Sequence, residues 1–100
     1  MPKGLKTYEM GRYANLAGSG TTHVAAAAGV LGTLVVNKSV DTATITIYDD
    51  PAGTSGAKIA TITLSGTVPV ALHYGVSFNT GLTIVASGAT DITIIYEVSP

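Results

Sequence analysis

Cysteine is absent from this 100-residue chain. That removes disulfides, thiolate zinc sites and thiol nucleophiles together. Tryptophan is missing too, and the aromatic side chains are five Tyr and one Phe, a thin supply for a face that binds through aromatic platforms. Charge is scarce: charged residues make up 11% of the chain, under half the usual share. A formal net charge of −1 gives no electrostatic case for nucleic acid or an acidic membrane. Lys3, Lys6 and Arg12 gather near the N-terminus but form only a weak patch. No apolar run approaches the roughly 18 residues of a transmembrane helix. The opening Met-Pro-Lys-Gly-Leu-Lys lacks the apolar core of a signal peptide, so the chain is expected to be soluble and not secreted.

Catalytic motifs are missing as well. There is no GxSxG, and no Gly-rich segment opens a helix after a strand, so nucleotide binding has no support. His23 and His73 are the only histidines. A hydrolytic triad needs a nucleophile, a His and a buried acid brought together, and nothing in the sequence singles out such a set. Asp49 and Asp50 in a Gly-rich loop, with Asp91 ahead of a strand, offer oxygens of the kind Ca²⁺ takes. Turn formation through their own backbone bonds explains them more simply. No catalytic, cofactor-binding or metal-binding residue is assigned, and the chain is read as a non-enzyme.

What is present is Thr, Ile, Val, Gly and Ala in strand-like patterns. Hydrophobic residues reach 46%, and one hundred residues suffice for one core. Thr42 to Asp49 alternates, with Ile45 and Ile47 on one face and Thr44, Thr46 and Tyr48 on the other. Tyr48 is the strand aromatic expected to face outward. Val68, Val70, Leu72, Tyr74, Val76 and Phe78 occupy every second position, with Pro69 marking an edge or bend and Gly75 a bulge. Leu31–Asn37 and Lys58–Leu64 read as further strands. Thr22–Ala26 reads as another, because the four alanines meet Gly29 at once and an isolated helix that short is marginal. Leu82–Ala86 and Asp91–Val98, rich in Ile, Val and Thr around Ser-Gly-Ala-Thr, read as a closing hairpin.

Strands about ten residues apart, each bounded by Gly, Ser, Asp or Pro, predict an all-β chain. The expected fold is an antiparallel β-sandwich or jelly roll of seven to nine strands. Its predicted core includes Ile45, Ile47, Ile62, Leu72, Tyr74, Val76, Phe78, Ile84, Ile92 and Ile94.

Residues 1–20 differ from the rest. They hold three of the five basic residues and end in Gly18-Ser19-Gly20, which reads as a flexible joint. The domain division is therefore 1–20 as an extended N-terminal arm and 21–100 as the sandwich. Leu5, Tyr8, Met10, Tyr13 and Leu16 are apolar groups that a tail in water seldom carries. They are the candidate partner-binding residues of an arm lying on a neighbouring molecule, with a simple tail as the alternative. So few charges on so small a domain also point to packing against other subunits.

The segment from Gly32 to Glu97 resembles a recurring type of small virion protein of tailed phages. The residues that carry the resemblance are Thr44–Asp49, Gly56–Ile62, Tyr74–Leu82 and Val85–Glu97. The resemblance implies a small β-sandwich assembling into oligomers, without catalytic residues. It suggests a capsid decoration or cement protein, homotrimeric, that binds the major capsid protein on the outer capsid surface and stabilises the head. A tail, head-tail connector or fibre component, with a glycan-binding role, is the alternative. Either would be made in the host cytoplasm and reside in the virion. Residues 1–20 fall outside the resemblance.

Overall fold

A computed structural model describes residues 12–65 and 70–98. The described chain is all-β and contains no helix: β1 (Arg12–Ala17), β2 (Gly20–Ala25), β3 (Gly29–Lys38), β4 (Thr44–Asp49), β5 (Ala57–Thr63), β6 (Val70–Phe78), β7 (Leu82–Ala86) and β8 (Asp91–Val98). They form two four-stranded sheets, ordered β1-β8-β3-β6 and β2-β7-β4-β5. Every neighbouring pair is antiparallel. The sheets share one apolar interior, as in a β-sandwich.

The pairing follows a simple rule. β4 pairs with β5, β3 with β6, β2 with β7 and β1 with β8. The chain is thus one long hairpin folded back at the loop between β4 and β5. That double ribbon then bends between the two sheets, because β1, β3, β6 and β8 lie in one sheet and the others in its partner. Contacts between β8 and β3, and between β7 and β4, close each sheet.

Alternation gives each strand its inner face. Ile45 and Ile47 of β4, Ile84 of β7, and Ile92 and Ile94 of β8 are fully buried, with Phe78 nearly so. Ile62, Leu72, Tyr74 and Val76 are partly buried and pack against that interior, as expected for the edge strands β5 and β6. Burial raises the pKa of the Tyr74 phenol above its ordinary value. Leu31 and Leu34 are both buried although three residues apart. A register shift between Leu31 and Thr33, at Gly32, reverses the phase of β3. On β6 the same irregularity faces Gly75, whose φ of 60° is a left-handed conformation that glycine adopts without steric cost.

Two expectations are corrected. β7 and β8 do not form a hairpin: β7 lies between β2 and β4, and β8 lies between β1 and β3, in opposite sheets. The Ser87–Thr90 connection crosses between the sheets instead. Ser87 N–H donates to Thr44 O at 3.0 Å and Thr44 N–H donates to Ser87 Oγ at 2.8 Å, which ties the crossing to β4. Gly18-Ser19-Gly20 is likewise a fixed corner rather than a loose joint. Gly18, at φ 92°, donates its N–H to Thr90 O at 2.8 Å. The β1-to-β2 and β7-to-β8 crossings are thereby bonded together. Arg12–Ala17 of the expected arm consequently belongs to the sheet, with Leu16 opposite Ile92 in register.

Replacing a fully buried side chain should cost far more than replacing an exposed one. Ile47→Ala is expected to destabilise the fold by about 2–5 kcal/mol, against roughly 0.5 kcal/mol or less for exposed Lys58→Ala. Urea unfolding followed by circular dichroism measures both.

Candidate functional site

Three polar constellations stand out among the described residues. The first is the corner where β4 ends. Asp49 and Asp50 are consecutive, so their side chains leave the strand in different directions. The Asp50 carboxylate accepts N–H bonds from Ala52 (2.9 Å), Gly53 (2.8 Å) and Gly56 (2.8 Å) and shapes its own loop. The Asp49 carboxylate reaches the β6–β7 connection instead. It accepts N–H bonds from Asn79 and Thr80, both at 2.8 Å, and a hydroxyl bond from Thr80 at 3.1 Å. One carboxylate therefore folds the hairpin loop, and its neighbour fastens a turn some thirty residues away. Gly81 packs against this corner. A Cβ on it would lie 2.6 Å from Pro51 N and 2.7 Å from Ala25 O, so only glycine fits.

The acidities follow from those bonds. Partial burial works to raise the Asp49 pKa, but the N–H groups of Asn79, Thr80 and Gly81 and the Thr80 hydroxyl outweigh it, and the carboxyl lies below its ordinary 3.8. Asp50 is lowered chiefly by the Ala52 N–H, with Gly53, Gly56 and Ser55 adding to it.

The second constellation abuts the first. The Thr83 hydroxyl is fully buried and donates to Asp50 O at 2.7 Å. Its single proton being committed there, Thr83 Oγ1 can only accept from His23 Nδ1, 3.1 Å away. In that pair His23 Nδ1 is therefore the donor. His23 and Thr83 thereby link β2, β7 and the corner.

The third lies on the outer face of the β1-β8-β3 sheet. Asp91 Oδ1 accepts from Asn15 Nδ2 at 2.8 Å and from Asn37 Nδ2 at 3.1 Å. Both amides also donate to Thr93 Oγ1, at 3.2 and 2.9 Å. The two Asn bonds, Asn15 first, and nearby Lys38 lower the Asp91 pKa. Farther along the same face, Thr33 Oγ1 lies 3.2 Å from His73 Nδ1.

The expected partner-binding residues divide. Leu5, Tyr8 and Met10 lie outside the described residues. Tyr13 is 70% exposed on β1 and is the exposed large hydrophobic side chain of the described structure. Leu16, by contrast, is buried in the chain's own core, because alternation on β1 turns it inward toward Ile92. It is not available to a partner. Tyr48, expected as the outward aromatic, is only half-exposed. Asn15 and Asn37 had no signal in the sequence: the bonds to Asp91 span 76 and 54 residues and depend on strand register. Asp49, Asp50 and Asp91 do not converge, since Asp91 follows the Ser87–Thr90 crossing at the other end of β7 from Asp49. Among the described residues no group of three or more His, Asp or Glu is placed to hold a metal ion.

No family model, curated protein or solved structure matches this chain.

The corner should make stability fall in acid. The folded-state pKa values of Asp49 and Asp50 lie below the ordinary 3.8. Their stabilisation is therefore fully present above that value and is lost as pH falls through the folded-state pKa. Melting temperature should stay level from neutral pH to about 5 and drop below about 4, with a shallower drop in Asp49→Asn. Gly81→Ala should cost about 1–3 kcal/mol at neutral pH by forcing the Pro51 and Ala25 backbones away. Thermal melts across the pH series read both effects.

Proposed function

We propose that this chain is a structural protein of a tailed-phage virion, most simply a capsid decoration or cement protein. In this reading it binds the major capsid protein on the outer head surface and acts as a homotrimer. The fold proposed is the eight-stranded jelly roll, a double-sheet architecture used by viral capsid and lectin domains. The observation that carries the reading is the strand order, β1-β8-β3-β6 over β2-β7-β4-β5. Such a ribbon wound into two sheets is a rigid body whose inner faces are filled by apolar side chains.

Two further features support a structural role. His23 is hydrogen-bonded to the buried Thr83 hydroxyl, which itself donates to Asp50 O, an arrangement that ties strands together. The low charge density also suits a subunit held among others, where many weak contacts add through multivalency. The tail or fibre alternative is favoured by one observation, the exposed Tyr13 beside an Asn–Asp cluster.

Copy number separates the two readings. Band intensity in purified particles should give the protein in hundreds of copies, comparable with the major capsid protein. Six to a dozen copies would favour the tail or connector. Sedimentation of the isolated protein should show a trimer, and a species near its own 10.1 kDa would count against self-assembly.

The segment carrying Leu5, Tyr8 and Met10 is the proposed docking arm, and β1 sets where it can be cut. Removing residues 1–11 leaves the eight described strands and should lower particle occupancy while preserving the β-type circular dichroism spectrum. Removing 1–17 deletes β1, uncovers β8 along its Ile92 edge, and should give an aggregating or unfolded chain. Equal occupancy for the 1–11 deletion and the intact protein would show that attachment comes from the sheet faces.

A further inference from the structure

The outer face of the β1-β8-β3 sheet joins an exposed aromatic ring to a fixed set of hydrogen-bond acceptors. Tyr13 and Asn15 are two residues apart on β1, so both side chains stand on the same face, roughly 7 Å apart. Tyr13 is paired in register with Ile95, and Asn15 with Thr93. The ring is 70% exposed, and just beyond Asn15 lie Asp91 and Asn37.

The orientation of the two amides follows from chemistry. An ionised carboxylate only accepts, so each Asn must turn its Nδ2 toward Asp91 Oδ1, at 2.8 Å and 3.1 Å. Thr93 Oγ1 takes a further bond from each amide, and Ile92 O one from Asn15 at 3.1 Å. The amide hydrogens are thereby committed within the cluster. Among the described residues nothing donates to Asp91 Oδ2, Asn15 Oδ1 or Asn37 Oδ1. These three short side chains, held by one another, present an acceptor-rich patch that needs no reordering to bind. Lys38 pairs in register with Asp91 and its positive charge acts on that carboxylate, so the patch is not a bare anion. That balance suits a neutral ligand better than an anion or a divalent cation.

A ligand matching both halves has hydroxyl donors on one edge and an apolar face of C–H groups that can cover a ring. We propose that this face is a carbohydrate-binding site, in which Tyr13 stacks on a neutral pyranose while Asp91, Asn15 and Asn37 accept its hydroxyls. The stacking half supplies contact area at low entropy cost, because Tyr has few rotatable bonds. The polar half selects the sugar by the positions of its hydroxyls. The inference stands apart from the capsid reading, since a head or tail protein could carry the same face.

The test is a microarray of neutral glucose, galactose and mannose oligosaccharides, followed by affinity electrophoresis through gels holding the matching polysaccharides. The intact protein should bind at least one of them, and EDTA should leave binding unchanged. Tyr13→Ala and Asn37→Ala should each weaken it about tenfold or more, while Lys58→Ala on the opposite sheet should not. Tyr13→Phe should retain most of the binding, because the ring rather than the hydroxyl makes the stack. Tyr13 lies outside the core, so circular dichroism of Tyr13→Ala should match the intact protein. Absence of binding across the array would overturn the proposal. So would unchanged binding by Tyr13→Ala, loss of binding in EDTA, or a Tyr13→Ala effect confined to the oligomeric state.

Discussion

Folding the chain in half at the β4–β5 loop is the constraint on which every other contact depends. With β4 paired to β5, each earlier strand lies beside its later partner, out to β1 beside β8. Only the first of these pairings is local. The rest close progressively longer loops, and the entropy of that closure comes before any reward from non-local contacts. The corner at Asp49 and Asp50 therefore has a role beyond its own loop. Asp50 organises the reversal with backbone N–H bonds, and Asp49 captures the β6–β7 turn as it returns. Two adjacent carboxylates thus couple the innermost hairpin to the next layer of the ribbon.

Local pattern was legible where one strand has one wet face. β4 alternates between buried Ile and half-exposed Thr, and β6 alternates along its length, so both could be read directly. The predicted core residues Ile45, Ile47, Phe78, Ile84, Ile92 and Ile94 are all buried. Partnering was not legible, because period-2 patterning fixes a face and says nothing about the neighbour. β7 and β8 look like a hairpin since both are apolar and only a short turn separates them. They are apolar because each is a central strand covered on both edges. β1 was hidden for the opposite reason. It is an edge strand that buries little besides Leu16, and such a strand resembles a tail.

The outer-face cluster shows the same limit at the level of a site. Tyr13 could be singled out as an apolar group near the N-terminus, and it is exposed. Its setting could not be seen, because Asn15, Asn37 and Asp91 come from three strands whose adjacency follows from the long-range pairing of β8 with β1 and β3. Gly18-Ser19-Gly20 misled in a related way. Glycine marks a flexible joint and a sheet-crossing corner alike, and only the Gly18 bond to Thr90 O distinguishes them.

The few charges then take on a definite meaning. Of six acidic residues, Asp49, Asp50 and Asp91 are engaged by donors of the chain itself. They serve local architecture before they serve solubility or steering. What remains at the surface is mostly hydroxyl, amide and small apolar groups, whose interactions are short-ranged and directional. Long-range attraction to an oppositely charged partner is correspondingly weak. A surface of this kind recognises through shape and hydrogen-bond geometry, and a rigid scaffold is what holds such geometry in place. The nested ribbon supplies that rigidity at the β1-β8-β3 face, because β8, which carries Asp91 and Thr93, is a central strand whose inward Ile92 and Ile94 are fixed in the core.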